Sequence, residues 1–251
     1  PRRGRGSPFP RRLASPASTA RGKAAQWRYM HGGLFTVPLV IFGWEGAAGG
    51  AGPEHSQCPE GLFWSAPGLY VVTPSSPADA KGLLKATIRD DNPVLFLVHK
   101  GLANAKGEVP DGEHLVPLGK ADVKREGDDV TVIAWSNTVA RSLEAAEQVA
   151  KEGISVEVVD PRGIRPLDAE AILKSVAKTG RVVLTHEARR SGGPSGEVAA
   201  LIAEKALDAL AAPIKRVTAP DVPIPQSMFL EQIYVPQTAA IVAAIKEVAG
   251  A

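Results

Sequence analysis

The feature that most constrains the fold is a regular alternation of short apolar runs and longer helical patterns in the second half of the chain. Four runs have the length of buried strands: Val130 to Trp135, Ile154 to Val159, Arg181 to Thr185 and Ile214 to Thr218. Four helical patterns follow them: Thr138 to Glu152, Asp168 to Thr179, Ser195 to Leu210 and Gln237 to Val248. Strands separated by helices of this length need crossover connections, so the alternation predicts a mostly parallel α/β sheet.

The first half repeats this alternation less regularly. Phe35 to Ile41 is a continuous apolar run, which predicts a strand buried on both faces. Further strands are expected at Leu69 to Thr73 and at Val94 to Val98. Between these two, Ser76 is placed to cap a helix that runs to about Arg89. The predicted inner face of that helix consists of Ala80, Leu83, Leu84, Thr87 and Ile88.

Changes in composition divide the chain into four segments. Residues 1–22 are rich in Arg, Pro and Ser and are expected to form a disordered basic leader. Residues 23–100 are expected to form one domain, 101–127 a polar linker, and 128–251 a second domain. The leader has three interpretations: a segment without function, a transit peptide, or an arm that binds nucleic acid. Its prolines disfavour the transit peptide, and the near absence of aromatics disfavours nucleic-acid binding.

Charge and cysteine content limit the possible functions. The first 44 residues hold eight basic and no acidic residues, which leaves 21 of the 29 basic residues with all 27 acidic ones. The globular part is therefore mildly acidic, and we expect no nucleic-acid partner. Cys58 is the single cysteine, so no internal disulfide can form and a reducing compartment is indicated. No apolar run approaches the ~20 residues of a membrane span, so no membrane partner is expected.

The most suggestive short motif is Gly52-Pro53-Glu54-His55-Ser56-Gln57, at the end of a glycine-rich run. Glycines let the backbone approach a ligand closely, and a histidine at the rim of a cleft can exchange protons near neutral pH. Taken alone, the motif is better explained by a turn that holds a hydrogen-bonded histidine.

Other chemistries find little support in the sequence. The five histidines and Cys58 do not have the spacing of metal ligands, and nothing else supports a thiol hydrolase. No phosphate-binding loop is present, which also disfavours a small flavodoxin-like nucleotide-binding protein. Gly192-Gly193-Pro194 precedes a predicted helix and could hold an anion, although a tight turn explains it more simply.

Several motifs in order resemble the beta subunit of 2-oxo acid dehydrogenases, the decarboxylating components of the pyruvate, branched-chain oxo acid and acetoin complexes. In the first half they are Gly52 to Gln57, Pro67-Gly68-Leu69, Val71 to Pro77 and Asp90-Asp91-Asn92-Pro93. In the second half they are Pro117 to Ala121, Ile164 to Asp168, His186-Glu187-Ala188, Ser191-Gly192-Gly193 and Asp221 to Pro225. The resemblance covers about residues 23–251.

The resemblance implies a fold, an activity and a set of partners. The fold would be part of a transketolase-like pyrimidine-binding domain, followed by a mostly parallel three-layer carboxy-terminal domain. The activity would be thiamine-diphosphate-dependent decarboxylation of pyruvate or a related 2-oxo acid, with acyl transfer to a lipoyl group. The cofactor, with Mg²⁺, would be shared with an alpha subunit. A second beta subunit and the dihydrolipoyl acyltransferase core would be further partners.

The resemblance also implies site residues. His55 matches a histidine at the mouth of the active site, where it would assist acylation of the lipoyl arm. Asp90 and Asn92, with the backbone carbonyls of Thr87 and Ile88, match a loop that binds a monovalent cation such as K⁺. The same four residues are equally consistent with a polar helix stop. The location would be cytoplasmic in a bacterium, or the mitochondrial matrix if the leader is a transit peptide.

The chain also departs from the family pattern. Residues 1–22 do not match the family's amino-terminal region, which carries the glutamate that activates the cofactor, so the chain is expected to be truncated. Phe42-Gly43-Trp44-Glu45 replaces the usual Arg-Gly-Pro-Trp. Cofactor contacts are accordingly expected outside these residues. The alternative function is a non-catalytic assembly module that pairs with alpha and beta subunits and with the acyltransferase core.

These observations predict that the isolated chain binds thiamine diphosphate without appreciable affinity, because it lacks the Gly-Asp-Gly diphosphate signature. Titration calorimetry with Mg²⁺ measures this directly. A magnesium-dependent affinity in the micromolar range would contradict the prediction.

Overall fold

A computed structural model describes residues 20–250 of the protein. Most of the predicted leader, residues 1–19, lies outside the described residues, as does Ala251. The strands are β1 (Val40–Glu45), β2 (Tyr70–Val72), β3 (Val94–His99), β4 (Asp122–Arg125), β5 (Val130–Ala134), β6 (Val156–Asp160), β7 (Gly163–Arg165), β8 (Val182–Arg189) and β9 (Lys215–Ala219). The helices are α1 (Ala25–Met30), α2 (Gly52–His55), α3 (Glu60–Trp64), α4 (Pro77–Ile88), α5 (Asn137–Ala150), α6 (Ala169–Thr179), α7 (Pro194–Lys205), α8 (Met228–Tyr234) and α9 (Thr238–Ala249).

Within residues 20–250, the nine strands form two sheets. The first has the order β1-β3-β2-β7, and the second has the order β4-β6-β5-β8-β9. Pairing is parallel within each sheet except for β7 and β4, which run antiparallel to β2 and β6. Helices separate the parallel strands, so the predicted α/β class with mostly parallel sheets is confirmed.

The first strand differs from its prediction. It begins at Val40 rather than Phe35, and it lies at the edge of its sheet. Phe42 and Trp44 are each 53% exposed, so the expectation of a strand buried on both faces is wrong. A continuous apolar run does not reveal whether a second layer covers both of its faces. That depends on which elements pack there in three dimensions.

Helix α4 begins as predicted. The Ser76 hydroxyl accepts a hydrogen bond from the Asp79 N–H at 3.1 Å, and Pro77 occupies the first turn. Its buried face is shifted by one position from the predicted one. Leu83 and Thr87 are buried as expected, but Ile88 is 63% exposed. The buried stripe includes Asp79, which binds Lys124 at 2.6 Å instead of facing solvent. A buried ion pair has thus shifted the face that apolar content alone predicts.

The second sheet carries the larger core. β5 and β6 are buried along their whole length, and α5, α6, α7 and α9 pack around them and β8. Asp168 caps α6 by accepting the Ala171 N–H, and Gly180 ends that helix in the left-handed conformation. The bounds of this helix, Ala169–Thr179, agree with the helical pattern predicted from Asp168 to Thr179. β4 lies inside the segment expected to be a linker, and the division into domains stays a prediction.

The stretch Met228–Ala249 is long and apolar enough to cross a membrane by length and composition. It is not one continuous helix, because Val235-Pro236-Gln237 separates α8 from α9. Helix α9 also buries Ile241, Ile245 and Val248 in the core around β5 and β6. The packing therefore explains its apolar character as that of a core helix.

The two sheets are joined through β7. This strand follows β6 of the second sheet but pairs with β2 of the first. The Trp135 side chain, 1% exposed, donates a hydrogen bond from Nε1 to the carbonyl of Gly163 at 3.1 Å. The indole therefore connects the end of β5 directly to the strand that enters the other sheet.

Replacing Trp135 by Phe should lower the free energy of unfolding by about 1–3 kcal/mol, because the buried Gly163 carbonyl loses its donor. Urea denaturation followed by circular dichroism measures the change. Trp27→Phe is the control, since Trp27 is 41% exposed and its exchange should alter stability by less than about 0.5 kcal/mol. Equal stability of the two variants would contradict the prediction.

Candidate functional site at the junction of the two sheets

The segment Gly46–Gln57, called the glycine loop here, connects the end of β1 to α3 and carries His55. His55 is the last residue of the four-residue helix α2, and its side chain is exposed. Gly46 is buried and has φ +81°, and a Cβ there would lie 2.0 Å from the His99 ring. Only glycine allows the backbone to pass this close to His99. The predicted histidine is thus presented to solvent by a loop that rests on a buried histidine.

Two buried histidine–glutamate pairs lie beneath the glycine loop. His99 Nε2 lies 2.8 Å from Glu187 Oε2, and His186 Nε2 lies 3.3 Å from Glu60 Oε1. All four side chains are at most 5% exposed. His99 and Glu60 belong to the first half of the chain, whereas His186 and Glu187 lie near the carboxyl end of β8 in the second half. The pairs are therefore reciprocal, since each half contributes one histidine and one glutamate.

Backbone N–H groups orient both histidines. The Gly101 N–H donates to His99 Nδ1 at 2.9 Å, and the Ala188 N–H donates to His186 Nδ1 at 2.7 Å. Because Nδ1 accepts in each ring, Nε2 carries the ring proton and points it at the glutamate. In the His99 pair the hydrogen bond is well aligned, whereas in the His186 pair the contact is mainly electrostatic.

Glu187 links this buried centre to the glycine loop. Its Oε1 accepts the Ala47 N–H at 2.5 Å, while its Oε2 accepts from His99. Burial alone would raise the pKa of Glu187, but the hydrogen bonds from His99 and from the Ala47 N–H lower it below its usual value. The carboxylate is therefore charged at neutral pH and holds the start of the loop.

Glu45 and Glu60 form a pair of buried carboxyl groups next to this centre. Burial raises the pKa of Glu45 well above its usual value, and the neighbouring charge of Glu60 raises it further. Burial also disfavours the charge on Glu60, but His186 outweighs this and lowers the pKa of Glu60. Two carboxylates this close cannot both be charged, so Glu45 holds the proton and Glu60 the negative charge.

The half-buried Cys58 lies at the edge of the same centre. Burial and the nearby charges of Glu60 and Glu187 raise the pKa of its thiol well above the usual value. A thiol that resists ionisation is a poor nucleophile at neutral pH. This agrees with the sequence argument against a thiol hydrolase.

The predicted cation-binding residues lie at the opposite end of the first sheet. Asp90 Oδ1 accepts the backbone N–H and the side-chain amide of Asn92, both at 2.8 Å. The Thr87 carbonyl accepts the Asp90 N–H at 3.3 Å, and Ile88 ends α4 beside it. This loop precedes β3, whereas the glycine loop and His99 lie past its carboxyl end. The structure therefore brings Asp90 and Asn92 together but keeps them away from His55.

The buried acids and histidines of the centre were missed by reasoning from the sequence. From the sequence, His186 and Glu187 were recognised only as part of a motif, and no role was predicted for Glu45, Glu60 or His99. One signal was available: His99 and His186-Glu187 stand at the carboxyl ends of predicted strands. Such positions of parallel sheets meet at one edge. Pairing across two different sheets could not be read from that signal.

The fold and this junction define a transketolase-like α/β protein. The transketolase pyrimidine-binding domain family matches residues 18–106, and the transketolase C-terminal domain family matches residues 119–241. A solved structure described as a split gene transketolase, an inactive beta4 tetramer, has a TM-score of 0.72 and 25% identity. The similarity covers 93% of this chain and 74% of that one.

The most specific similarity is to beta subunits. The chain is 47% identical to the acetoin:2,6-dichlorophenolindophenol oxidoreductase subunit beta of Bacillus subtilis, over 91% of this chain and 67% of the relative. It is 45% identical to the 2-oxoisovalerate dehydrogenase subunit beta of the same organism, over 90% of this chain and 70% of the relative. It is 46% identical to the mitochondrial pyruvate dehydrogenase E1 component subunit beta of Dictyostelium discoideum, over 90% of this chain and 64% of the relative. The chain belongs to the transketolase-like family of 2-oxo acid dehydrogenase beta subunits.

The raised pKa of Glu45 predicts a pH dependence of stability. Above its usual pKa of 4.5 the folded state keeps a proton that the unfolded state releases, so stability falls as pH rises until Glu45 ionises. Glu45→Gln removes this loss. For each pH unit above 4.5, the free energy of unfolding of the variant should therefore gain up to about 1.4 kcal/mol relative to that of wild type. Urea denaturation between about pH 5 and pH 8 measures it.

Glu60 and Glu187 do not contribute to the pH dependence of stability between about pH 5 and pH 8. Their pKa values are lowered, so their contribution to stability is lost only as pH falls below the usual glutamate value. Glu54→Gln is the matched control, because it removes the same formal charge from an exposed position of the glycine loop. Parallel stability profiles for Glu45→Gln and wild type would show that Glu45 is ionised in the folded protein.

Proposed function

We propose that this chain acts as the beta subunit of a thiamine-diphosphate-dependent 2-oxo acid dehydrogenase. It would take part in the oxidative decarboxylation of pyruvate or a related 2-oxo acid and in acyl transfer to the lipoyl group of an acyltransferase. The observation that carries the proposal is the 44–47% identity to beta subunits of three such enzymes over about nine-tenths of this chain. The chain spans about two-thirds of those relatives' length, so the activity of the whole subunit is inferred from its family.

The residues described here do not by themselves fit a complete cofactor site. No group of three or more metal-ligating side chains occurs among residues 20–250, and no diphosphate-binding loop is present in the sequence. We therefore assign the Mg²⁺ and diphosphate contacts to an alpha subunit that shares the cofactor. Thiamine diphosphate, when bound, supplies the electron sink for decarboxylation.

His55 is the residue of this chain that we assign to catalysis. It is exposed at the end of α2 and is presented by a loop that a buried charged centre supports. An imidazole donates protons readily near neutral pH, which suits protonation of a lipoyl sulfur as the acyl group is transferred. The buried His99 and His186 are held by backbone and glutamate contacts and are not free to reach a substrate.

A monovalent cation, K⁺, is proposed for the loop that follows α4. Its ligands would be the carbonyls of Thr87 and Ile88 with the side chains of Asp90 and Asn92. All are oxygen donors, which suits a hard cation. Asp90 already organises Asn92 through two hydrogen bonds, so the role would be to stabilise the end of α4 and not to act at His55.

Partner subunits are proposed for the exposed apolar surfaces. Phe42 and Trp44 are over half exposed on edge strand β1, and Met228, Phe229 and Ile233 are more than 60% exposed on α8. These surfaces on β1 and α8 would be among those that bind an alpha subunit, a second beta subunit and the acyltransferase core. The location would be the bacterial cytoplasm or the mitochondrial matrix, since relatives of both kinds exist.

A second candidate is an assembly module without its own activity. The specific observation in its favour is that the similar split gene transketolase structure is described as an inactive tetramer of beta chains. Such a chain would keep the pairing surfaces but would perform no chemistry at His55.

Replacing His55 by Ala separates the two candidates. In an assembly reconstituted with the alpha subunit, the acyl transfer rate to a lipoyl-bearing domain should fall by ~10²–10⁴-fold, because proton donation is lost. Stability should change by less than about 1 kcal/mol, since the side chain is exposed. Glu54→Ala, on the same helix, is the control and should retain near wild-type activity. A His55→Ala rate within a few-fold of wild type would refute the catalytic role.

A further inference from the structure

The glycine loop has a side-chain contact of its own, from Gln57 Nε2 to the Pro53 carbonyl at 2.6 Å, but its glycine-rich first half has no comparable contact. Gly46, Gly49, Gly50 and Gly52 all have φ between +70° and +84°, and the loop exposes Glu54 and His55 to solvent. Glycine-rich backbone loses more conformational freedom on ordering than any other, so contacts from outside must compensate. Those contacts come from charged side chains on other elements.

Two of the contacts hold N–H groups in the first half of the loop. Glu187 accepts from Ala47 at 2.5 Å, and Glu231 of α8 accepts from Gly50 at 3.0 Å. Both glutamates are at most 6% exposed. Neither touches α2, so they leave the position of His55 itself to another contact.

Lys100 supplies that contact. It follows His99 at the end of β3, and its Nζ donates to the Gly46 carbonyl at 2.9 Å and to the His55 carbonyl. The Gly46 N–H also donates to the Gln57 carbonyl at 3.0 Å, so Gly46 lies at the neck of the loop. One ammonium group therefore joins the first residue of the loop to the residue assigned to catalysis, nine positions later.

We propose that Lys100 is a positioning residue that fixes the main chain of His55 by bridging the two carbonyls. The inference rests on the role proposed for His55 and adds the group that orients it. The ammonium has three donors and can serve both carbonyls at once with hydrogen bonds strengthened by its charge. Its positive charge also lies at the carboxyl end of α2, where helix carbonyls lack partners.

The geometry connects this bridge to the buried centre. His99 and Lys100 are adjacent, and the His99 ring packs under Gly46 while the Lys100 ammonium binds the carbonyl of the same glycine. The buried His99–Glu187 pair thereby fixes the position of the carboxyl end of β3. Because Lys100 follows directly, this position determines which part of the loop its ammonium group can reach. Lys100 acts through His55 and touches no substrate in this proposal.

The first test is hydrogen exchange of the whole chain by mass spectrometry. Lys100→Met keeps the length of the side chain but removes the donors, and it should speed exchange of amides in Gly46–Gln57 by ~10-fold or more. Lys100→Arg keeps the charge and several donors and should restore most of the protection. The matched control is Lys81→Met, since Lys81 also donates to a backbone carbonyl, that of Pro110, but on helix α4 away from the loop.

The second test compares two electron acceptors in an assembly reconstituted with the alpha subunit. Lys100→Met should lower the rate with a lipoyl-bearing domain by ~10-fold or more, because His55 is misplaced. The rate with the dye 2,6-dichlorophenolindophenol, which needs no proton from His55, should stay within a few-fold of wild type. Lys100→Arg should recover the lipoyl-dependent rate, and a purely structural defect would lower both rates together.

The outcomes distinguish this inference from the proposed function. Unchanged exchange in Gly46–Gln57 for Lys100→Met, or an equal increase for Lys81→Met, overturns the bridge whatever the enzyme does. Faster exchange with an unchanged ratio of the two rates overturns the positioning role. A wild-type assembly that is inactive with both acceptors refutes the proposed function instead, and the exchange data then decide the bridge alone. If Lys100→Met does not fold, Lys100→Gln is compared with Lys100→Arg by the same two measurements.

Discussion

The arrangement of this molecule depends on two reciprocal histidine–glutamate pairs buried between its halves. His99 and Glu60 come from the first half of the chain, and Glu187 and His186 come from β8 in the second. Removing one partner from such a pair leaves a buried polar or charged group without compensation, which typically costs several kcal/mol. The pairs therefore constrain relative position, because β8 must meet the carboxyl end of β3 for one pair and the start of α3 for the other.

The site follows from that constraint. Once β3 and β8 meet, Glu187 reaches the Ala47 N–H, the His99 ring supports Gly46, and Lys100 reaches the carbonyls of Gly46 and His55. The glycine loop then has a defined path, and His55 stands at the surface above a buried charged centre. Polar contacts from other elements thereby order the loop, and Ala47 adds an apolar contact with the cluster around Ile224 and Tyr234.

The neighbouring Glu45 and Glu60 show how the same centre distributes charge. The pKa of Glu45 is raised by burial and by Glu60, while His186 keeps the pKa of Glu60 low. One proton and one negative charge are thus shared by two carboxyl groups. The buried junction thereby avoids the free-energy cost of a second uncompensated charge. Because Glu45 keeps its proton in the folded state, the stability of the protein falls as pH rises.

The sequence by itself determined the local elements and the family. Capping at Ser76 and the alternation of strands with helices depend on nearby residues, and the structure confirms them. The exposed face of β1, the buried Asp79–Lys124 pair and the exposed Ile88 required the tertiary structure, because they depend on which distant element covers a surface. The motif around His55 was visible in sequence, but the contacts that orient it were not. They join residues 45 to 140 positions apart, and only the meeting of two sheets decides which strand ends face each other.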